Sequence, residues 1–177
     1  KKLGINQSAA ITCVKPSGTV SQLVDSASGI HTRHSPYYIR TVRADKKDPL
    51  AQLMVDQGVY HEDDITKPEH TYVFYFPIKS PDKSLNRIDI SAIEHLSIWK
   101  LYQWDNFDTI SGISFLPYVD HSYQQAPYQE IFEDEYKEWL KKTNENVDWS
   151  LISDYEKEDM TENTKELACV AGACEIL

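Results

Sequence analysis

Short apolar runs alternate with helix-spaced segments along most of this chain, and that alternation limits the possible folds more than any other feature. Ala9-Ala10-Ile11-Thr12-Cys13-Val14 has the length and β-branched content of a buried strand. Thr71-Tyr-Val-Phe-Tyr-Phe76 is a stronger strand, predicted to close at Pro77, and Gly112-Ile-Ser-Phe-Leu116 is another, stopped by Pro117. Between them the period changes. Val20 to Ser26 suits a short helix ended by Gly29. The helix from Asp48 to Gly58 carries its own boundaries: Asp48 suits the N-cap, Pro49 the first helical position and Gly58 the position just past the end. Ile90 to Tyr102 places Ile93, Leu96, Ile98 and Leu101 at apolar positions, and Glu130 to Lys142 reads as an acidic helix. Ser35 to Arg43 fits neither period. Asp120 to Tyr128 reads as a polar, aromatic loop and Ser150 to Lys165 as an extended acidic linker. Alternating strands and helices predict an α/β fold. The strands are few for a complete sheet or barrel, so the expectation is a segment that completes a larger fold.

Composition narrows the partners. The 177 residues suffice for one domain with a sizeable core. A net charge of −10 argues against a nucleic-acid or anionic-membrane surface, both of which need Lys and Arg patches. No run is apolar enough to span a bilayer, and Lys1-Lys2-Leu3-Gly4 is no signal peptide. Three cysteines are too few for a secreted disulfide scaffold, so a cytoplasmic location is expected. Without an initiator methionine, the chain is expected to be a piece of a longer protein.

Two stretches carry candidate chemistry. Cys169 and Cys174 lie in a small-residue segment at the C-terminus, separated by Val170, Ala171, Gly172 and Ala173. They read as a dithiol on a tether, able to form one disulfide and to reach another site. Glu166 and Glu175 nearby disfavour the thiolate, so no strongly activated cysteine is expected. At the other end, Lys15-Pro16-Ser17-Gly18-Thr19 joins a predicted strand to a helix start. Gly18 permits close backbone approach, Ser17 and Thr19 add hydroxyl donors, and the free N–H groups of a helix start favour an anion. The same four residues, Pro16 to Thr19, also make an ordinary β-turn with a threonine cap. The other candidates have plainer readings. Cys13 suits a buried small hydrophobe. His31, His34 and His121 match no standard metal spacing, and Cys-x4-Cys without clustered histidines is a poor zinc signature, so no metal site is expected. Arg33, Arg40 and Arg43 suit solvated or ion-paired roles, and Tyr37, Tyr38, Tyr72, Phe74 and Tyr75 suit packing.

Several segments together resemble the adenosylcobalamin-dependent (class II) ribonucleotide reductases, most nearly the ribonucleoside-triphosphate reductase type. They are Ala10 to Val24, Gly29-Ile-His31, Ser35 to Arg43, Phe76 to Pro81, Ile110 to Pro117, Tyr123 to Tyr128 and the tail Glu166 to Glu175, in the family's order. The resemblance implies a ten-stranded α/β barrel, of which this chain is the C-terminal portion. It implies reduction of ribonucleotides to 2′-deoxyribonucleotides by a radical route that adenosylcobalamin initiates. By position, Pro16, Ser17, Gly18 and Thr19 hold the substrate's phosphates, and Cys169 and Cys174 re-reduce an active-site disulfide. The implied partners are the ribonucleotide, thioredoxin or a similar dithiol reductant, and the upstream part of the same enzyme. The implied division is 1–149 for the barrel portion, 150–166 for an acidic linker and 167–177 for a mobile redox-active tail.

The family's radical-bearing cysteine and active-site dithiol have no counterpart here, so the chain is expected to be inactive alone. A further stretch including a strand is expected between the helix Ile90 to Tyr102 and Asn106, where Gln103-Trp104-Asp105 makes a direct join. The alternative is a non-catalytic nucleotide- or phosphate-binding module with an incidental C-terminal cysteine pair.

Overall fold

The structure, a computed structural model, describes residues 12–14, 20–105, 110–113 and 124–157. In chain order the elements are β1 (Thr12–Val14), α1 (Val20–Leu23), β2 (Tyr37–Asp45), α2 (Pro49–Asp56), β3 (His61–Asp63), β4 (Thr71–Lys79), α3 (Ala92–Trp99), a π-helical turn (Lys100–Trp104), β5 (Ile110–Ile113), β6 (Tyr128–Glu130), α4 (Glu133–Lys142), a 3-10 turn (Trp149–Leu151) and α5 (Ile152–Tyr155). The mixed α/β expectation holds. The chain forms two compact units, one of residues 1–36 and 79–121, the other of residues 37–78 and 122–177.

The second unit is built on a four-stranded sheet in the order β3-β4-β2-β6. β3 runs antiparallel to β4, with His61 opposite Phe74, and β6 runs antiparallel to β2, with Arg40 opposite Tyr128. The ambiguous segment after Ser35 is thus a strand, rich in the aromatic and β-branched residues that suit a pleated surface. β4 does not close at Pro77 but runs through it to Lys79. The amide of Tyr75 points to the β3 side, where it donates to Tyr60 O at 3.2 Å. Two residues on, the ring of Pro77 faces that same side, beyond the last residue that three-residue β3 can pair, so no ladder bond is lost.

α2 forms as its boundary residues require. Asp48 Oδ1 accepts from the Leu50 amide at 2.8 Å, and Gly58 takes φ +81° just past the end. The helix buries Ala51, Leu53 and Met54, the latter two worth about 2 kcal/mol each as apolar burial. Ile39, Val73, Tyr75 and Ile131 form one core cluster, lined by Tyr37, Tyr60, Tyr136 and Trp139; Ala51, Met54, Val59 and Phe74 form another. Tyr75 stacks on Trp139 with centroids 5.5 Å apart. The predicted packing role holds for Tyr37, Tyr72, Phe74 and Tyr75 in these clusters, and Tyr38 is buried beside them in sequence.

The turn before β6 is a structural clasp. Gln125 sits at φ +54°; its amide donates to Asp63 O at 2.8 Å, and its Oε1 accepts from the Ile65 amide at 3.1 Å. Thr41 Oγ1 donates to Ala126 O at 2.9 Å. Beneath it, Asp64 accepts from Arg43 Nε at 2.6 Å and from the amides of Thr66 and Lys67. The linker expected from Ser150 starts differently. Residues 149–155 form a 3-10 turn that continues into α5, because Asp148 Oδ1 caps the Ser150 amide and the Tyr155 hydroxyl donates to Asp56 at 2.9 Å.

In the first unit, β1 and β5 pair in parallel, with Thr12 opposite Ile110 and Val14 opposite Ile113. Arg33 and Asn86 form an isolated parallel bridge. α3 starts on a capping box in which Ser91 and Glu94 each accept from the other's amide. The predicted apolar stripe forms but is not covered. α3 buries no residue, Ile93 and Leu96 are exposed, and so are Leu101, Tyr102 and Trp104 in and around the π-helical turn that follows.

Candidate phosphate-binding turn

β1 ends at Val14 and α1 begins at Val20, so residues 15–19 run from the carboxyl end of a parallel-paired strand to the amino end of a helix. In parallel sheets this is the end at which ligands bind, because helix N–H groups left without partners converge there. Pro16, Ser17, Gly18 and Thr19 lie in that connection, outside the described residues. So do Cys169 and Cys174 of the predicted dithiol. What the structure places is the frame around the turn.

That frame is held from behind. After α1 the chain reverses at Asp25, whose φ of +48° is left-handed, a conformation aspartate tolerates better than most residues. The Ser26 amide returns to Ser21 O at 2.9 Å. Arg33 then closes on the turn: its guanidinium donates to Asp25 O at 2.8 Å and forms an ion pair with Asp25 Oδ1. The Arg33 side chain is only 4% exposed, while that of Asp25 is 69% exposed. The Arg33 backbone is itself fixed on both sides, its amide donating to Leu85 O and its carbonyl accepting from the Arg87 amide, both at 2.9 Å.

Two histidines tie the intervening loop to α3. His31 Nδ1 donates to Ser28 O at 2.9 Å and His95 Nε2 donates to Ile30 O at 3.2 Å. The two rings meet edge to face, centroids 5.0 Å apart. Burial above all, then the nearby His95, holds the pKa of His31 below its ordinary value against the opposing Ser28 hydrogen bond. A neutral His31 imidazole suits this packing. Gly29 supplies the turn at φ +62°. Among the described residues, no group of three or more His, Cys, Asp or Glu side chains could hold a metal ion.

Of the arginines expected to be solvated or ion-paired, Arg33 pairs with Asp25 and Arg43 with Asp64, while Arg40 lies over the Tyr128 ring at 4.4 Å. Asp25 and His95 carry no sequence signal of their own. Their parts depend on a reversal at Gly29 that brings separate segments together.

No family model matches the chain. Three curated relatives carry closely similar descriptions. The adenosylcobalamin-dependent ribonucleoside-triphosphate reductase of Euglena gracilis is 30% identical over 200 residues, covering 97% of this chain and 27% of the relative. That of Lactobacillus leichmannii is 28% identical over 209 residues, covering 99% and 28%. A probable reductase of the same description from Dictyostelium discoideum is 30% identical over 205 residues, covering 99% and 26%. These spans exceed the 177 residues of the chain, so the relatives are longer over the matched region. The crystal structure of a B12-dependent (class II) ribonucleotide reductase superposes with a TM-score of 0.61 at 27% identity, covering 86% of this chain and 25% of that one. Over nearly all of its own residues, and over about a quarter of theirs, this chain is similar to the adenosylcobalamin-dependent (class II) ribonucleotide reductases.

Proposed function

We propose that this chain is the C-terminal segment of an adenosylcobalamin-dependent ribonucleoside-triphosphate reductase, contributing the turn that holds the substrate's phosphates and the dithiol that re-reduces the active site. The observation that carries this reading is similarity to such reductases along nearly the whole chain, and a strand ending at Val14 and a helix beginning at Val20 flank the place where the phosphate turn is expected. Pro16 shapes the turn, and Ser17, Gly18 and Thr19 meet the phosphates through backbone amides and hydroxyls. Cys169 and Cys174 act as an electron shuttle: their two thiols become a disulfide as the active-site disulfide becomes two thiols, and thioredoxin or a similar dithiol restores the pair. A reducing, cytoplasmic compartment suits that exchange. Among the described residues no helix is long and apolar enough to cross a membrane.

The segment belongs to a ten-stranded α/β barrel completed by the upstream part of the enzyme. The uncovered stripe on α3 and the turn after it supports this, since a self-sufficient binding module would bury such a face. Bound to the complete enzyme, adenosylcobalamin would supply the radical, and no residue of this segment is assigned to the cofactor.

The test is the complete reductase with Cys169→Ser and Cys174→Ser together. Turnover with thioredoxin as sole reductant is expected to fall to background, while dithiothreitol, small enough to enter the site, still supports it. Undiminished turnover with thioredoxin refutes the shuttle.

A further inference from the structure

We propose that Trp139, Tyr75 and Glu62 form a radical sink: a peroxyl or similar oxidising radical takes an electron at Trp139 and is quenched, and the oxidised site ends as a neutral tyrosyl radical on Tyr75. The inference lies within the second unit and stands apart from the phosphate-turn and dithiol readings. Three rings meet there in pairs. Tyr75 stacks on Trp139 with centroids 5.5 Å and planes 11° apart, and Tyr60 stands edge-on to both, at 5.5 and 5.0 Å. Rings in contact exchange an electron readily. Trp139 and Tyr60 are partly buried, whereas Tyr75 is only 7% exposed. An oxidant in solution therefore meets Trp139 before it meets Tyr75.

Two charges set the direction of travel. Lys142 Nζ lies over the Trp139 ring, 4.8 Å from its centroid, so its positive charge opposes a radical cation on the indole. Glu62 accepts from the Tyr75 hydroxyl at 2.7 Å and from the Tyr60 hydroxyl at 2.9 Å. Burial, then the Glu62 contact, keeps the Tyr75 phenol protonated far above neutral pH, so it loses an electron easily only if its proton leaves too. Glu62 is the acceptor for that proton and is already in hydrogen-bond contact. Its own pKa is held below the ordinary value, chiefly by the Tyr75 hydrogen bond, so it is ionised at neutral pH. The step balances. The radical takes one electron from Trp139 and leaves as its anion, a peroxyl radical as a peroxide. Tyr75 gives one electron to the indole, and its proton moves to Glu62 Oε2. Trp139 is restored, and no bond between heavy atoms forms or breaks. Packing alone calls for no hydroxyl at either tyrosine; two hydroxyls converging on one carboxylate are what proton-coupled oxidation requires.

The test is flash oxidation of the complete reductase, free of cobalamin, by photogenerated tris(bipyridine)ruthenium(III). Transient absorption follows it, since tryptophanyl and tyrosyl radicals absorb in separate bands. In the wild type the tyrosyl signal is expected to grow as the tryptophanyl signal decays, and to grow more slowly in deuterium oxide. Glu62 is exposed on the short strand β3, so Glu62→Gln leaves the fold in place and keeps a hydrogen-bond acceptor while removing the proton acceptor. In that variant tyrosyl growth is expected to slow by at least about tenfold, with a longer-lived tryptophanyl signal. Tyr75→Phe is expected to abolish the coupled growth, and Trp139→Phe to remove its tryptophanyl precursor. The variants separate this cluster from the other aromatic residues of the enzyme. Tyrosyl growth at the wild-type rate in Glu62→Gln or in Tyr75→Phe overturns the sink. So does wild-type growth that deuterium oxide leaves unchanged, because the proton then takes no part in the step.

Discussion

Replacing Asp64 by asparagine tests whether the clasp under the Gln125 turn holds the second unit together by charge. The side chain is 4% exposed and accepts four hydrogen bonds: Arg43 Nε at 2.6 Å, Thr66 Oγ1 at 2.5 Å, and the amides of Thr66 and Lys67 at 2.8 and 3.0 Å. Burial alone raises a carboxyl pKa. Here the hydrogen bonds from Thr66, Arg43 and Lys67 outweigh burial and bring the pKa down from 3.8 to about 2. That gap corresponds to about 2 kcal/mol of stability. Arg43 is 39% exposed, so its share is trimmed by solvent, while the contacts from Thr66 and Lys67 keep theirs. A depressed carboxylate stabilises the fold above its unfolded pKa and loses the effect as the pH drops through its folded one. Wild type is therefore expected to lose this contribution between pH about 4 and 2. Asp64→Asn is expected to be about 2 kcal/mol less stable at pH 7 and to lack that part of the acid dependence. Urea unfolding followed by tryptophan fluorescence measures it, Trp139 being stacked on Tyr75 in the same unit. Carbon-detected titration of the aspartate Cγ is the direct check. A midpoint for Asp64 near 3.8, or an unchanged urea midpoint in the variant at pH 7, would refute the account.

Two further outcomes follow from the same unit. Gly58→Ala is expected to cost about 1 kcal/mol by thermal unfolding, from the φ of +81° alone, because the added Cβ meets nothing nearer than Asn144 Cβ at 4.0 Å. Tyr75→Phe removes the hydroxyl that donates to Glu62 Oε2 at 2.7 Å, the chief cause of that carboxylate's lowered pKa. The variant is expected to lose about 1 kcal/mol at pH 7 and to raise the Glu62 midpoint, with the deficit shrinking on acidification through the carboxylate range.

How much of this was readable in the chain depended on how far apart the deciding residues lie. α2 was legible in full because Asp48, Pro49 and Gly58 act within a few residues of the bonds they make. β2 was not, because its pattern is set by β4 and β6, far along the chain, and two adjacent residues, Tyr38 and Ile39, are both buried. Pro77 misled for a related reason. A proline stops a strand only where a neighbour needs its amide, and β3 is too short to reach it. The strand before residues 15–19 and the helix after them were legible from local pattern. The Arg33–Asp25 ion pair was not, since the Gly29 reversal and the bridge to Asn86 bring those segments together.

α3 shows where local pattern stops being informative. The apolar period from Ile93 to Leu101 does produce a helix, with a capping box at Ser91 that fixes its start. Periodicity states that a face is to be buried and is silent about what buries it. Ile93, Leu96, Leu101 and Trp104 remain open to solvent, in a chain that spans about a quarter of the reductases it resembles. An amphipathic helix draws most of its stability in a protein from the partner it packs against. The reading of this segment as part of a larger barrel therefore implies that α3 is among the least stable elements of the isolated chain and becomes firm only when the rest of the enzyme covers it. Amide exchange along residues 92–104, slow in the complete reductase and fast in the isolated chain, is the behaviour that reading requires.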